Sequence, residues 1–234
     1  VQDLRGRKAL VSGGASGIGK AIAAKLLEHG VKTAVADLNL PDTLPQEPLY
    51  IKSDVVSAPA TDTLFTELNR KLGLPDILVC SAGRGVHEKL TEGDPEKWKQ
   101  VIETNLLGTL RLIRAFVPAM LEKGKGDVVI ISSVAAGKAY TYGGIYAATK
   151  TALEVVAETL RLEVLPFVRV TVVAPGVTDT AFFENTISGS QTVESIGYGA
   201  LSPEAVADAV LYALQQPEGV SANHITIRPT AQPF

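Results

Sequence analysis

One cysteine, Cys80, stands among 234 residues. No disulfide can therefore staple the protomer, and a reducing, cytoplasmic compartment is expected. Histidine is scarce too: His29, His87 and His224 lie far apart without ligand spacing, so no metal site is expected. There is no excess of positive charge. Lys and Arg number 22 against 25 Asp and Glu, a net charge of −3 with no basic run, which argues against a phosphate-neutralising surface for nucleic acid. No apolar stretch approaches the ~18 residues that a membrane span requires. The first ten residues carry Asp3, Arg5, Arg7 and Lys8, and are too thin in apolar content for a signal peptide.

What is present is the composition of a folded chain, 46% hydrophobic and 20% charged, which excludes disorder. Short apolar runs alternate with amphipathic stretches. Lys8–Ser12 leads into a glycine-rich turn; Ile18, Ile22 and Leu26 then recur every fourth residue up to Gly30, and 31–36 is a second apolar run. This strand–helix–strand order is a βαβ unit with parallel strands. The alternation continues, with strands predicted near 49–52, 76–80, 127–132, 168–173 and 223–227, and helices near 59–72, 95–122, 143–165 and 202–216. Asp94-Pro95-Glu96 and Ser202-Pro203-Glu204 each place a capping side chain before a proline at the first helical position. Near-continuous Val/Ile/Leu strands imply a sheet covered on both faces. The expected fold is α/β: one doubly wound Rossmann domain over 1–234 with a mostly parallel, seven-stranded sheet.

Two segments stand out. The link 38–49 contains Pro41, Pro45 and Pro48, too many for an ordinary helix, so an extended crossover is predicted there. The stretch 181–201 is rich in Gly, Ser and Asn yet holds Phe182, Phe183, Ile187 and Tyr198, and reads as a flexible flap with apolar teeth.

The glycine cluster, Gly13-x₃-Gly17-x-Gly19 with Ser16 and Ile18 inside it, sits between the first strand and the first helix. Glycines there let the backbone turn sharply towards a pyrophosphate stabilised by the helix N-terminus. No Gly-Lys-Ser/Thr follows, which excludes the phosphate-loop kinases. Asp37, at the end of the second strand, is placed to accept hydrogen bonds from an adenosine ribose and to repel a 2′-phosphate. NAD is therefore expected over NADP. A solvated acid starting a turn is the alternative reading of Asp37.

The second constellation is Tyr146-Ala-Ala-Thr-Lys150, which puts a phenol and an ammonium on one helix face. A phenol has a reference pKa near 10, and a neighbouring positive charge lowers it towards the range of a useful base. By itself such a pair is also ordinary surface decoration. Thirteen residues earlier, however, an apolar strand ends in Ser132-Ser133, where a hydroxyl can meet a substrate oxygen and the other serine can serve a turn.

With these residues assembled, the chain resembles the short-chain dehydrogenases/reductases along nearly its whole length. The matching motifs are the glycines at 13–19, Asp54-Val55, Ser81-Ala82-Gly83, Asn105, Ser133, Tyr146-x₃-Lys150 and Pro175-Gly176. The resemblance implies that Tyr146 takes the hydroxyl proton as hydride passes to the nicotinamide. Ser133 would polarise the substrate oxygen, and Lys150 would lower the tyrosine pKa and hold the nicotinamide ribose. Asn105 would anchor a water that joins Lys150 to solvent. It further implies adenine contacts from Asp54 and Val55, a cofactor wall from Ala82 and Gly83, and nicotinamide-side contacts near Pro175, Gly176, Thr178 and Thr180. The implied activity is hydride transfer between NAD and a secondary alcohol or ketone. An NADPH-preferring carbonyl reductase and a non-catalytic nucleotide sensor are the alternatives.

The chain departs from the family in Cys80-Ser81, which replaces paired asparagines, so a weakened cross-sheet network is expected. Val134, Tyr140, Tyr142, Phe182 and Phe183 are the candidate substrate wall, favouring a hydrophobic small-molecule substrate with few charges. His87, near the expected substrate mouth, reads as an exposed loop histidine, Trp98 as helix packing, Cys80 as inert core, and Arg84 either as a contact for a substrate carboxylate or as a solvated loop residue. The resemblance also implies a homotetramer or homodimer, with helices 95–122 and 143–165 at one interface and the C-terminal tail packing across subunits.

Overall fold

A computed structural model describes residues 1–43, 47–189 and 191–233. Seven parallel strands form one sheet in the order β3-β2-β1-β4-β5-β6-β7. They are β1 (Lys8–Ser12), β2 (Lys32–Asp37), β3 (Leu49–Lys52), β4 (Ile77–Cys80), β5 (Gly126–Ile131), β6 (Val168–Pro175) and β7 (His224–Ile227). The helices are α1 (Gly17–Glu28), α2 (Ala58–Lys71), α3 (Pro95–Ile102), α4 (Gly108–Glu122), α5 (Gly144–Glu163), α6 (Val193–Ile196) and α7 (Pro203–Leu214).

Successive strand side chains point to opposite faces, and both faces are apolar. Leu10, Leu78 and Val128 join Leu64, Phe116 and Leu153 in the core beneath α2, α4 and α5. Their neighbours Val11, Val79 and Val129 join Ile22, Leu26, Val206 and Val210 beneath α1 and α7. Helix starts follow the sequence. The Asp94 carboxylate accepts from Glu96 N–H at 2.9 Å, and the Ser202 hydroxyl accepts from Ala205 N–H at 3.2 Å.

The predicted helix 95–122 is not regular. It passes through a π-turn at Glu103–Leu107, which joins α3 to α4 and contains Asn105. Such turns insert one residue into an α-helix, which hydrophobic periodicity does not reveal. The described parts of the 38–49 link contain no helix, in keeping with the extended crossover; Pro45 lies outside the described residues.

Strand order reverses between β1 and β4, so the cleft expected of open α/β sheets lies at the carboxyl ends of the strands. The opposite end is fixed by buried charge. Asp127 accepts from Arg169 Nε at 2.6 Å and pairs with Arg7 on its other oxygen. Breaking such a buried pair costs roughly 3–5 kcal/mol, so this cluster holds β1, β5 and β6 in register while their other ends carry the site.

Candidate active site

The glycine loop closes tightly over the strand ends. A Cβ on Gly13, whose φ is +64°, would lie 2.7 Å from Ala82 Cα, and one on Gly19 would lie 2.1 Å from Gly13 O. Only glycine permits this approach. Asp37 braces the turn: its Oδ2 accepts from Ala15 N–H at 3.0 Å and its Oδ1 from Asn39 N–H at 3.1 Å. A carboxylate has about four acceptor positions, so capacity for two ribose hydroxyls remains. Ser16 is the N-cap of α1, yet its hydroxyl caps no helix N–H, and the first turn contains no acidic side chain. Uncapped N–H groups at a helix start suit an anion, and this cradle therefore fits a dinucleotide pyrophosphate.

Around the cradle, Asp54 Oδ1 accepts from Val56 N–H at 2.9 Å, and Val55 is buried against Gly108. Thr180 brings its methyl group over Gly17, where a Cβ would meet it at 3.3 Å. The buried Thr178 hydroxyl donates to Gly176 O at 3.0 Å. Gly176 and Val177, just beyond Pro175, are covered by Gln232, which accepts from Val177 N–H at 3.0 Å. Part of the C-terminal tail thus packs on its own chain; Phe234 lies outside the described residues.

Beside Cys80-Ser81 stands Ser12, the last residue of β1. Its hydroxyl accepts from Ser81 N–H at 3.2 Å and Ala82 N–H at 3.3 Å, and donates to Val79 O at 3.4 Å. Ser12 therefore ties β1 to the end of β4 at the cleft. Cys80 is buried, and burial pushes its thiol up to about 12, which makes it an inert packing residue.

Tyr146, Lys150, Ser133 and Asn105 come together at the ends of β5 and α5. The Lys150 ammonium is buried, donates to Ile131 O at 2.8 Å, and lies 5.7 Å from the Tyr146 ring centroid. Burial pulls its pKa down to about 8. For Tyr146 burial also dominates: it raises the phenol above its ordinary value, opposed by a hydrogen bond from Ser133. The expected lowering by Lys150 is not the main influence on Tyr146 in this structure, because the ammonium is directed at the Ile131 carbonyl.

Asn105 is fully buried, and both donors of its amide and its oxygen have protein partners. Oδ1 accepts from Arg84 N–H at 2.8 Å; Nδ2 donates to Arg84 O at 3.0 Å and Thr149 Oγ1 at 3.1 Å. The Thr149 hydroxyl passes the link on to Tyr146 O at 2.7 Å. A Cβ on Gly83 would lie 3.4 Å from Asn105 Oδ1 and 3.7 Å from Lys150 Nζ, which places this residue beside both.

Ser132 is buried, and its hydroxyl reaches Lys150 O at 3.4 Å and Glu154 Oε1 at 3.2 Å, which ties α5 to β5. Ser133 accepts from Ala135 N–H at 3.1 Å and starts the short helical turn Val134–Gly137. Of the serine pair, Ser133 starts the turn and Ser132 braces α5; Thr149 was missed as a site residue. The one signal for Thr149 was its position beside Lys150.

The flap 181–201 lies against the loop after β4. Phe182 stacks obliquely on Tyr146 with centroids 5.6 Å apart, and Phe183 meets Phe182 edge-on at 5.8 Å. Ile187 N–H donates to Gly85 O and His87 N–H to Ser188 O, both at 2.9 Å. Glu88 gathers the rest: it accepts from Trp98 Nε1 at 2.9 Å, Asp94 N–H at 3.0 Å, Lys97 Nζ at 3.4 Å and the Ser188 hydroxyl. Trp98 is therefore a partner of this carboxylate rather than plain helix packing. His87, expected to be exposed, is partly enclosed by Tyr140 and Tyr142, because the loop folds back under the flap. Arg84 extends into solvent with its backbone fixed by Asn105.

A family profile described as short chain dehydrogenase matches residues 7–191. The chain belongs to the short-chain dehydrogenase/reductase family. An uncharacterized oxidoreductase of Staphylococcus aureus (strain MRSA252) is 34% identical over 229 residues, covering 94% of this chain and 96% of the relative. Among solved structures, an alcohol dehydrogenase from the archaeon Thermococcus sibiricus, complexed with 5-hydroxy-NADP, superposes with a TM-score of 0.86. It is 28% identical, covering 97% of this chain and 98% of that one. A serine dehydrogenase in a closed form with NADP+ reaches 0.89 at 27% identity, covering 97% and 96%. This short-chain dehydrogenase/reductase is accordingly an oxidoreductase. Among the described residues, no helix is long and apolar enough to cross a membrane, and no group of three or more His, Cys, Asp and Glu could hold a metal ion.

The Glu88 cluster sets an acid limb of stability. Its hydrogen bonds, that from Ser188 foremost, hold the carboxyl at about 2 against the usual 4.5, so the folded chain favours the ionised form. The stabilisation is complete above about 4.5 and is lost as pH falls through about 2. Glu88→Gln should lower the urea midpoint by a constant amount from pH 5 to 8. The gap to the parent should narrow below pH 4.5, as read by denaturant titrations at each pH.

Proposed function

We propose that this chain is an NAD-dependent oxidoreductase that interconverts a secondary alcohol and its ketone. One observation carries the reading: a partly buried phenol, Tyr146, is hydrogen-bonded to Ser133 and set beside the buried Lys150 ammonium. In the oxidative direction Tyr146 accepts the substrate hydroxyl proton, while Ser133 orients and polarises the oxygen. Lys150 supplies positive charge that favours the phenolate, and it would hold the nicotinamide ribose. Asn105 acts through Thr149 and the Arg84 backbone to keep α5 and its tyrosine in place. The bound dinucleotide supplies the hydride acceptor.

Gly13, Ser16, Gly17, Ile18 and Gly19 are proposed to hold its pyrophosphate, and Asp37 its adenosine ribose. Asp54, Val55, Ala82, Gly83, Pro175, Gly176, Thr178 and Thr180 are proposed to line the remainder. Val134, Tyr140, Tyr142, Phe182 and Phe183 would face the substrate. A second reading, NADPH-dependent carbonyl reduction, has support in the NADP-type complexes of two structural neighbours. The Asp37 carboxylate favours NAD, because it would repel a 2′-phosphate.

A homotetramer is proposed as well. Support comes from a shallow apolar cleft of about 190 Å³ lined by Ile102, Leu106, Ile145, Ala148, Thr149 and Ala152, flanked by exposed Leu107 and Val155. Light scattering should give four times 24.6 kDa; a stable monomer mass would refute the assembly.

Titration followed by reduced-nicotinamide fluorescence should show NADH binding at least tenfold more tightly than NADPH, a difference of about 1.4 kcal/mol. Tighter NADPH would favour the second reading, and binding of neither would defeat both. Tyr146→Phe removes one hydroxyl and should lower kcat by roughly a hundred- to ten-thousandfold, with NADH binding retained. Activity within tenfold of the parent would refute the role given to Tyr146.

A further inference from the structure

His87 occupies a position that the proposed hydride transfer does not explain. Its imidazole is stacked on Tyr140, with centroids 6.3 Å apart and planes inclined by 24°, and is met edge-on by Tyr142 at 5.3 Å. The backbone is fixed on both sides: His87 N–H donates to Ser188 O at 2.9 Å, and Glu88 N–H to Tyr142 O at 3.0 Å. Within this clamp Nε2 is buried and has no hydrogen-bond partner among the described residues. A buried polar atom without a partner is costly, and a position needed only for packing is served better by leucine or phenylalanine.

The clamp is a built feature. Tyr142 takes a left-handed backbone, φ 68°, which is a strained conformation for a bulky side chain. Tyr140 lies flat on Gly143, where a Cβ would come within 2.0 Å of its ring. Both irregularities bring an aromatic ring onto His87. Two residues before the histidine, Gly85 touches Phe182, the ring that lies on the proposed catalytic phenol Tyr146. The other walls there are apolar: Phe182 covers Tyr146, and Gly85 faces the edge of the Phe182 ring.

We infer that His87 is a specificity-determining residue whose Nε2 hydrogen-bonds a second oxygen of the substrate, so that the enzyme prefers neutral hydroxy-alcohols and hydroxyketones to simple apolar alcohols. A hydroxyl is the group indicated because it can donate or accept, and so satisfies the imidazole in either neutral tautomer. This rests on the alcohol–ketone reading above and names the substrate class for it. A site built to bond a substrate hydroxyl discriminates strongly against the analogue without it, since the protein atom is then left unpaired.

The test compares kcat/KM for two matched pairs, cyclohexanol with trans-1,2-cyclohexanediol and 2-butanol with 2,3-butanediol, each with NAD and with NADP. The parent should prefer the diol by at least tenfold in one pair or both. In His87→Leu the preference should collapse to within threefold, through a rise in KM for the diol. His87→Gln, which keeps an N–H and a carbonyl near that position, should recover part of it. Dinucleotide dissociation constants within threefold of the parent's identify folded variants. A parent without preference, or a leucine variant that keeps it, overturns the inference. So does a parent that binds dinucleotide and oxidises neither diol. A parent that binds no dinucleotide overturns the underlying alcohol–ketone reading instead.

Discussion

The site is organised around a lysine ammonium held out of water. Burying a charge is unfavourable unless it is hydrogen-bonded, and Lys150 meets that demand through the carbonyl of Ile131, the last residue of β5. The remaining geometry follows from this bond. It fixes the start of α5 over the strand end, Ser132 reinforces the same junction, and Tyr146 is presented one helical turn earlier. Gly83 lies alongside both groups, at contact distance from the lysine and from Asn105. The low dielectric that pulls Lys150 down to about 8 also raises the phenol above its ordinary value. Burial thus favours the neutral form of both groups, and positive charge brought near them would favour the phenolate.

Much of this was legible in the residues. Strand boundaries fall within about two residues of expectation because buried parallel strands are long Val/Ile/Leu runs, and two of the helix starts were announced by Asp94-Pro95 and Ser202-Pro203. The glycine turn was equally plain, since a backbone approach that excludes any Cβ leaves only one residue type to choose. What sequence did not reveal depends on distant partners. Ser12 accepts from the backbone of Ser81 and Ala82 across 69 and 70 residues, and Glu88 recruits Ser188 from 100 residues away. His87 was read as exposed because no local pattern says that Tyr140 and Tyr142 fold over it. Gln232 gave no signal, being a lone amide in an apolar tail.

The flap and the loop after β4 form one polar seam. Two backbone hydrogen bonds and the Glu88 carboxylate join them on one side, while Phe182 lies on Tyr146 on the other. Lys97 and Trp98 of α3 end on Glu88, whose partner Ser188 lies in the same flap as the ring that covers the phenol.

The π-turn at Glu103–Leu107 has a geometric consequence of its own. Each residue advances an α-helix by about 100°, so one inserted residue rotates everything before it relative to everything after. Helices α3 and α4 are continuous in direction but out of phase in azimuth. The first can face α5 while the second faces α2 and the sheet, an arrangement closed to a single uninterrupted stripe. Asn105 sits at the phase break, where its amide turns inward between the two surfaces. Deleting a residue from that turn would leave a good helix and a displaced asparagine, an error of rotation that no substitution elsewhere in the helix could undo.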